Sequence, residues 1–86
     1  MTPTQRLLAR HALGLPNRRK RSYRNRYVAA YIPGGEFDQW SAMESAGWAE
    51  RGAFRPDRTA RFWLTPEGAR LALEPGESLD PEDFPT

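Results

Sequence analysis

Apolar positions recur in short helical phases and in two alternating runs, and Pro, Gly and charged clusters separate them. The stretch Thr2-Pro3-Thr4-Gln5 predicts a helix start, with Thr2 as N-cap, Pro3 at the first helical position and Gln5 closing a capping box. Leu7, Leu8, Ala12 and Leu13 then form a narrow apolar stripe that Gly14 and Pro16 end. Between Pro16 and Pro33 the pattern supports two readings. Ser22 caps a helix bearing Tyr23, Tyr27, Val28 and Tyr31 on one side, or the same tyrosines and valine belong to an extended segment. The turn Pro33-Gly34-Gly35 precedes a second helix marked by Phe37, Trp40 and Met43 or Glu44, with Gly47 at its end. Trp48 to Phe54 and Ala60 to Leu64 pair as a hairpin across "RPDRT". "LTPEG" opens a last helix with Thr65 as cap, Pro66 first and Glu67 at the positive helix end, and Leu71 and Leu73 are expected to return it to the core.

Beyond that helix, "EPGESLDPEDFPT" has three prolines and five acids and only two bulky apolar residues, Leu79 and Phe84. That balance favours disorder. The alternative is that the tail docks on the basic segment or a partner through Phe84. The expected division is a domain over 1–74 and an acidic, Pro-rich tail over 75–86.

The order of these elements resembles a winged helix-turn-helix domain. "GWAERGAF" at Gly47 to Phe54, followed by "FWLTPEGARLAL" at Phe62 to Leu73, is similar to the way small winged-helix proteins leave a recognition helix, build a wing and start a closing helix. The resemblance implies an α+β, winged-helix-like fold in which helices pack beside a two-stranded β-hairpin, and it implies that Glu36 to Ala46 would approach the major groove. This sequence departs from an ordinary reader there: Glu36, Asp38 and Glu44 supply three acids and the segment has no Lys or Arg, so phosphates would repel it. "HALGL" at His11 to Leu15 with "YRN" at Tyr23 to Asn25 also resembles small uncharacterised bacteriophage and prophage proteins. That likeness implies a mobile-element origin and assigns no role to any residue.

Charge sharpens the picture because it is unevenly distributed. Residues 1–35 hold eight Lys or Arg and no acid, while residues 74–86 hold five acids and no base. Such a separation steers an anionic partner toward the N-terminal third. Candidate contacts to nucleic acid or an acidic partner are Arg18, Arg19, Lys20, Arg21, Arg24 and Arg26, joined by Arg55, Arg58 and Arg61 on the hairpin. Arginine forks onto phosphate oxygens and aromatic rings stack on bases, which makes Tyr23, Tyr27 and Trp63 candidate aromatic contacts. The tyrosines also suit a partial core, Trp40 and Trp48 suit the core, and Glu36, Asp38 and Glu44 form a candidate acidic interaction surface.

Chemistry beyond binding has little support. The chain has no cysteine and one histidine, His11, which has neither a neighbouring nucleophile nor a carboxylate to orient it. The glycine turns lack the lysine and strand-to-helix setting of a phosphate loop. No enzyme activity, cofactor or metal is expected, and no run approaches the roughly 20 apolar residues of a membrane span. The resulting expectation is a cytoplasmic, small phage-like regulatory protein that binds nucleic acid mostly through phosphates. The alternative is a protein-binding inhibitor or adaptor, such as an anti-CRISPR protein, that blocks a host nucleic-acid-processing complex. Neither membrane contact nor a fixed oligomeric state follows, and a homodimer stays open.

Overall fold

The computed structural model describes residues 1–85, in the order α1 (Pro3–Leu13), β1 (Tyr27–Ala30), α2 (Glu36–Ser45), β2 (Ala49–Phe54), β3 (Thr59–Leu64) and α3 (Pro66–Ala72). The three strands form one open antiparallel sheet in the order β1-β3-β2. The domain is thus α+β, and its sheet has three strands where the hairpin alone was expected.

Local signals account for the helix starts. Thr2 accepts from the Gln5 N–H while the Gln5 side chain accepts from the Thr2 N–H, so two otherwise orphaned donors are satisfied at the head of α1. Thr65 caps α3 by accepting from Gly68 N–H at 3.2 Å. α2 has Gly35 at its N-cap with no side-chain bond, and Glu36 and Asp38 in the first turn favour its positive end.

The segment 22–31 is extended, not helical. Tyr27 pairs with Phe62, Val28 with Arg61, Ala29 with Ala60 and Ala30 with Thr59. Strand pairing wins because period-two alternation buries Ala29 and half-buries Tyr27 while exposing Val28 and Ala30. Only α2 therefore lies between β1 and β2, and the turn Ile32 to Gly35 leads straight into it.

The core sits between the inner sheet face and the helices. Phe62 stacks on Trp40 at 5.5 Å and meets Phe37 edge-on at 5.3 Å, geometries that suit the ring quadrupole. Arg51 covers Phe37 and Phe62 with its guanidinium and pairs with Glu44. Of the expected apolar stripes, Ala12 and Leu13 are fully buried and Leu8 and Leu73 pack partly buried against the core, whereas Leu7 and Leu71 are exposed; Ala9, Ala69 and Ala72 are buried beside Ala12. These small side chains let the two helices approach closely. Trp40 is fully buried, whereas Trp48 is only partly covered.

The acidic tail is not disordered through the described residues; Thr86 lies outside them. Phe84 is buried in the core, and Ser78 pairs with Arg21 in a parallel bridge. Glu77 grips Arg10 with both oxygens, at 2.5 and 2.7 Å, and Arg10 also donates to Ala72 O. Composition favoured disorder, but one buried ring and one charge pair with side chains 8% and 6% exposed hold the tail in place.

Candidate functional site

The basic segment is built onto the C-terminal end of α1. Gly14 ends the helix in the left-handed region, at φ 79°, and the chain then loops back across the last turn. Tyr23 N–H donates to Leu13 O and Arg26 N–H to Ala12 O, both at 3.2 Å, while Arg24 donates Nη2 and Nε to His11 O. The bonds to Leu13 O and Ala12 O give terminal helix carbonyls a partner, Arg24 adds to the Gly14 N–H bond that His11 O already accepts, and its cationic donors suit the negative helix end. Asn25 fixes the other side by donating Nδ2 to Leu64 O at 2.9 Å and accepting Leu64 N–H at 2.8 Å. Its amide mimics a strand partner, a role hidden in the sequence because Leu64 lies 39 positions away.

Two grooves result, with the consecutive residues Tyr23 and Arg24 lining one each. The first, about 450 Å³, is lined by His11, Arg24, Arg26, Tyr27, Val28, Arg55 and Arg61. Four arginines from three separate chain segments converge there, and no acid lines it. Val28 and Arg61 are cross-strand partners on the exposed outer face of the sheet, so pairing of β1 with β3 is what unites the two basic regions of the sequence. The second groove, about 580 Å³, contains Arg18, Arg19, Arg21 and Tyr23 together with Asp80 and Glu82. Its charge is mixed, and Arg21 meets Asp80 at 3.4 Å. Among the described residues, Arg18, Arg19, Lys20, Arg24, Arg26, Arg55, Arg58 and Arg61 form no ion pair.

Lys20 and Arg58 line neither groove but share an unusual backbone. Both occupy the left-handed region, at φ 53° and 64°. Arg58 closes the hairpin turn, where its N–H donates to Arg55 O and its carbonyl accepts from Tyr31 N–H. Asp57 stiffens this turn by accepting from both the N–H and the hydroxyl of Thr59, bonds that hold its carboxyl below the usual range.

The candidate aromatics divide. Tyr23 is 61% exposed. Tyr27 packs against Trp40 and His11, and burial, together with its hydroxyl bond to Glu36, pushes its pKa up to about 12. Trp63 lies on the outer sheet face near Gly52 and donates Nε1 to Glu50 at 2.7 Å, so it is half-covered and engaged. The candidate acids have local partners as well: Glu36 accepts from Tyr27, Asp38 from Gly34 N–H and Glu44 from Arg51. None of the three lines either arginine groove.

His11 meets Tyr27 edge-on at 5.4 Å. Among the described residues no group of three His, Asp or Glu side chains comes together to hold a metal, and no helix is long and apolar enough to cross a membrane. No protein-family model, curated protein or solved structure matches the chain.

Proposed function

We propose that this protein binds nucleic acid through its arginine grooves, mainly by phosphate contacts, in the role of a small phage-like regulator. The observation that carries this reading is the convergence of Arg24, Arg26, Arg55 and Arg61 in a groove with no acid along it. Gathering like charges raises the energy of the free protein, and a polyanion removes that repulsion while releasing its own counterions. Lys20 and Arg58 add support. An L-residue in the left-handed region costs roughly 1–2 kcal/mol, so glycine would be the less strained occupant of both turns, yet each carries an exposed cation.

A winged-helix relationship draws support from the strand order and from the hairpin, whose turn carries Arg55 and Arg58 as a wing would. Its DNA-reading mode does not carry over. A helix-turn-helix needs a helix immediately before its recognition helix, whereas β1 stands there, and α2 holds three acids. Phosphate contact by groove and hairpin fits this chain better than base reading by α2.

The test is fluorescence anisotropy with labelled oligonucleotides across a salt series. Affinity is expected to fall steeply with salt, and the double replacement Arg26→Ala with Arg61→Ala to flatten the slope by roughly 0.7–0.9 for each phosphate that is no longer neutralised. Binding indifferent to these replacements and to salt would overturn the proposal. The second reading, a protein-binding inhibitor, is favoured by exposed Tyr31, Ile32 and Phe54 around the start of α2 and the hairpin end. A nuclease-resistant complex that Phe54→Ser abolishes would select it instead.

A further inference from the structure

Resting on the nucleic-acid reading above, we infer that the ligand is single-stranded and that Tyr23 is the platform on which one of its bases stacks. Among the described residues this ring belongs to the most exposed aromatic residue. A Cβ placed on Gly14 would come within 2.2 Å of Tyr23 Cε1, so the ring lies directly on the helix-terminating glycine. With Tyr23 N–H bonded to Leu13 O, the backbone that carries the ring is anchored, while 61% of the residue is exposed. The Arg24 guanidinium sits 5.3 Å from its centroid.

Tyr23 also lines the second groove, and the residue that follows it, Arg24, lines the first. A phosphate chain passing from Arg18, Arg19 and Arg21 toward Arg26 and Arg61 therefore crosses an anchored aromatic surface. Duplexes keep their base faces stacked inside the helix and offer only groove edges and phosphates, whereas an unpaired base presents a free π-face. The helix that precedes the hairpin is acidic, which disfavours duplex reading by a helix in the major groove. Single-stranded DNA and RNA share the chemistry invoked, namely a base face followed by phosphates.

The full chain is titrated at matched salt against oligothymidylate and oligouridylate of about 15 nucleotides, the upper end of single-domain site sizes. A duplex and an abasic strand of the same length complete the set. Either pyrimidine strand is expected to bind more tightly than the duplex. Tyr23→Leu, which keeps an apolar cover over Gly14, should weaken pyrimidine-strand binding about ten-fold. Tyr23→Phe should retain binding, and the salt slope should stay unchanged in both variants. The abasic strand, with phosphates but no bases, should bind weakly and ignore position 23. Duplex binding at least as tight as strand binding, or indifference of the pyrimidine strands to Tyr23→Leu, overturns this inference while Arg26→Ala with Arg61→Ala still weakens binding. Loss of any response to the arginine replacements overturns the phosphate reading as well. Circular dichroism of Tyr23→Leu separates impaired stacking from a damaged fold.

Discussion

Arg10 and Glu77 form one of the contacts that hold the C-terminal tail against the domain. Their side chains are 8% and 6% exposed and are joined by two charged hydrogen bonds. The Arg10 guanidinium holds the Glu77 carboxyl down at about 2, with a further backbone bond from Glu74 N–H, and Glu77 in turn raises the Arg10 pKa. A carboxyl whose folded pKa is depressed stabilises the fold above its unfolded value and loses that contribution as pH falls. The melting temperature is therefore expected to drop between about pH 4.5 and pH 2. Glu77→Gln should be less stable at neutral pH by about 2–3 kcal/mol, below the range for deeply buried pairs because this one lies just beneath the surface. That corresponds to a decrease on the order of 10 °C in melting temperature. A variant that melts like the parent at pH 7, or an unchanged acid profile, would show that the clasp contributes nothing.

At the level of elements, the signals legible in the sequence were the local ones. The Thr2 capping box, the Thr65-Pro66 helix entry, the α2 core pattern of Phe37, Trp40 and Met43, and the hairpin all depend on residues within a few positions of one another. β1 was ambiguous because Tyr and Val suit both structures and its partner β3 lies about 30 residues away. The Ala-lined contact between α1 and α3 was hidden because apolar periodicity favours the larger Leu7 and Leu71 over alanine. Gly68 belongs with these hidden contacts. A Cβ there would lie 2.0 Å from Trp48 O, so α3 rests directly on the backbone entering β2. Helix propensity alone predicts that Gly68→Ala gains about 1 kcal/mol. The close approach predicts the opposite sign, a net loss of about 2 kcal/mol or more by urea unfolding, since backbone cannot swing aside as a side chain does.

For the molecule as a whole, the charge asymmetry seen along the chain becomes an arrangement of surfaces. Of the candidate cations, Arg24, Arg26, Arg55 and Arg61 line a groove without acids and Arg18, Arg19 and Arg21 a mixed one, while Lys20 and Arg58 line neither, and strand pairing joins basic stretches that the sequence keeps about 30 residues apart. That union was not legible in advance because it depends on the β1-β3 register. The tail's acids meanwhile oppose the polyanion expected at the second groove. Asp80→Asn with Glu82→Gln should tighten oligonucleotide binding by roughly three- to ten-fold at low salt, with the gain shrinking as salt screens the field. Unchanged or weaker binding would mean that ligand does not approach this side.

The short parallel bridge between Arg21 and Ser78 has a practical use. Ser22 N–H donates to Ser78 O, Ser78 N–H to Lys20 O and Asp80 N–H to Ser22 Oγ, so amides nearly 60 residues downstream are wired to the cationic loop. An isotope label on Ser78 or Asp80 would act as a remote gauge, its amide resonance moving whenever something settles on the loop, with no probe attached to the arginines themselves.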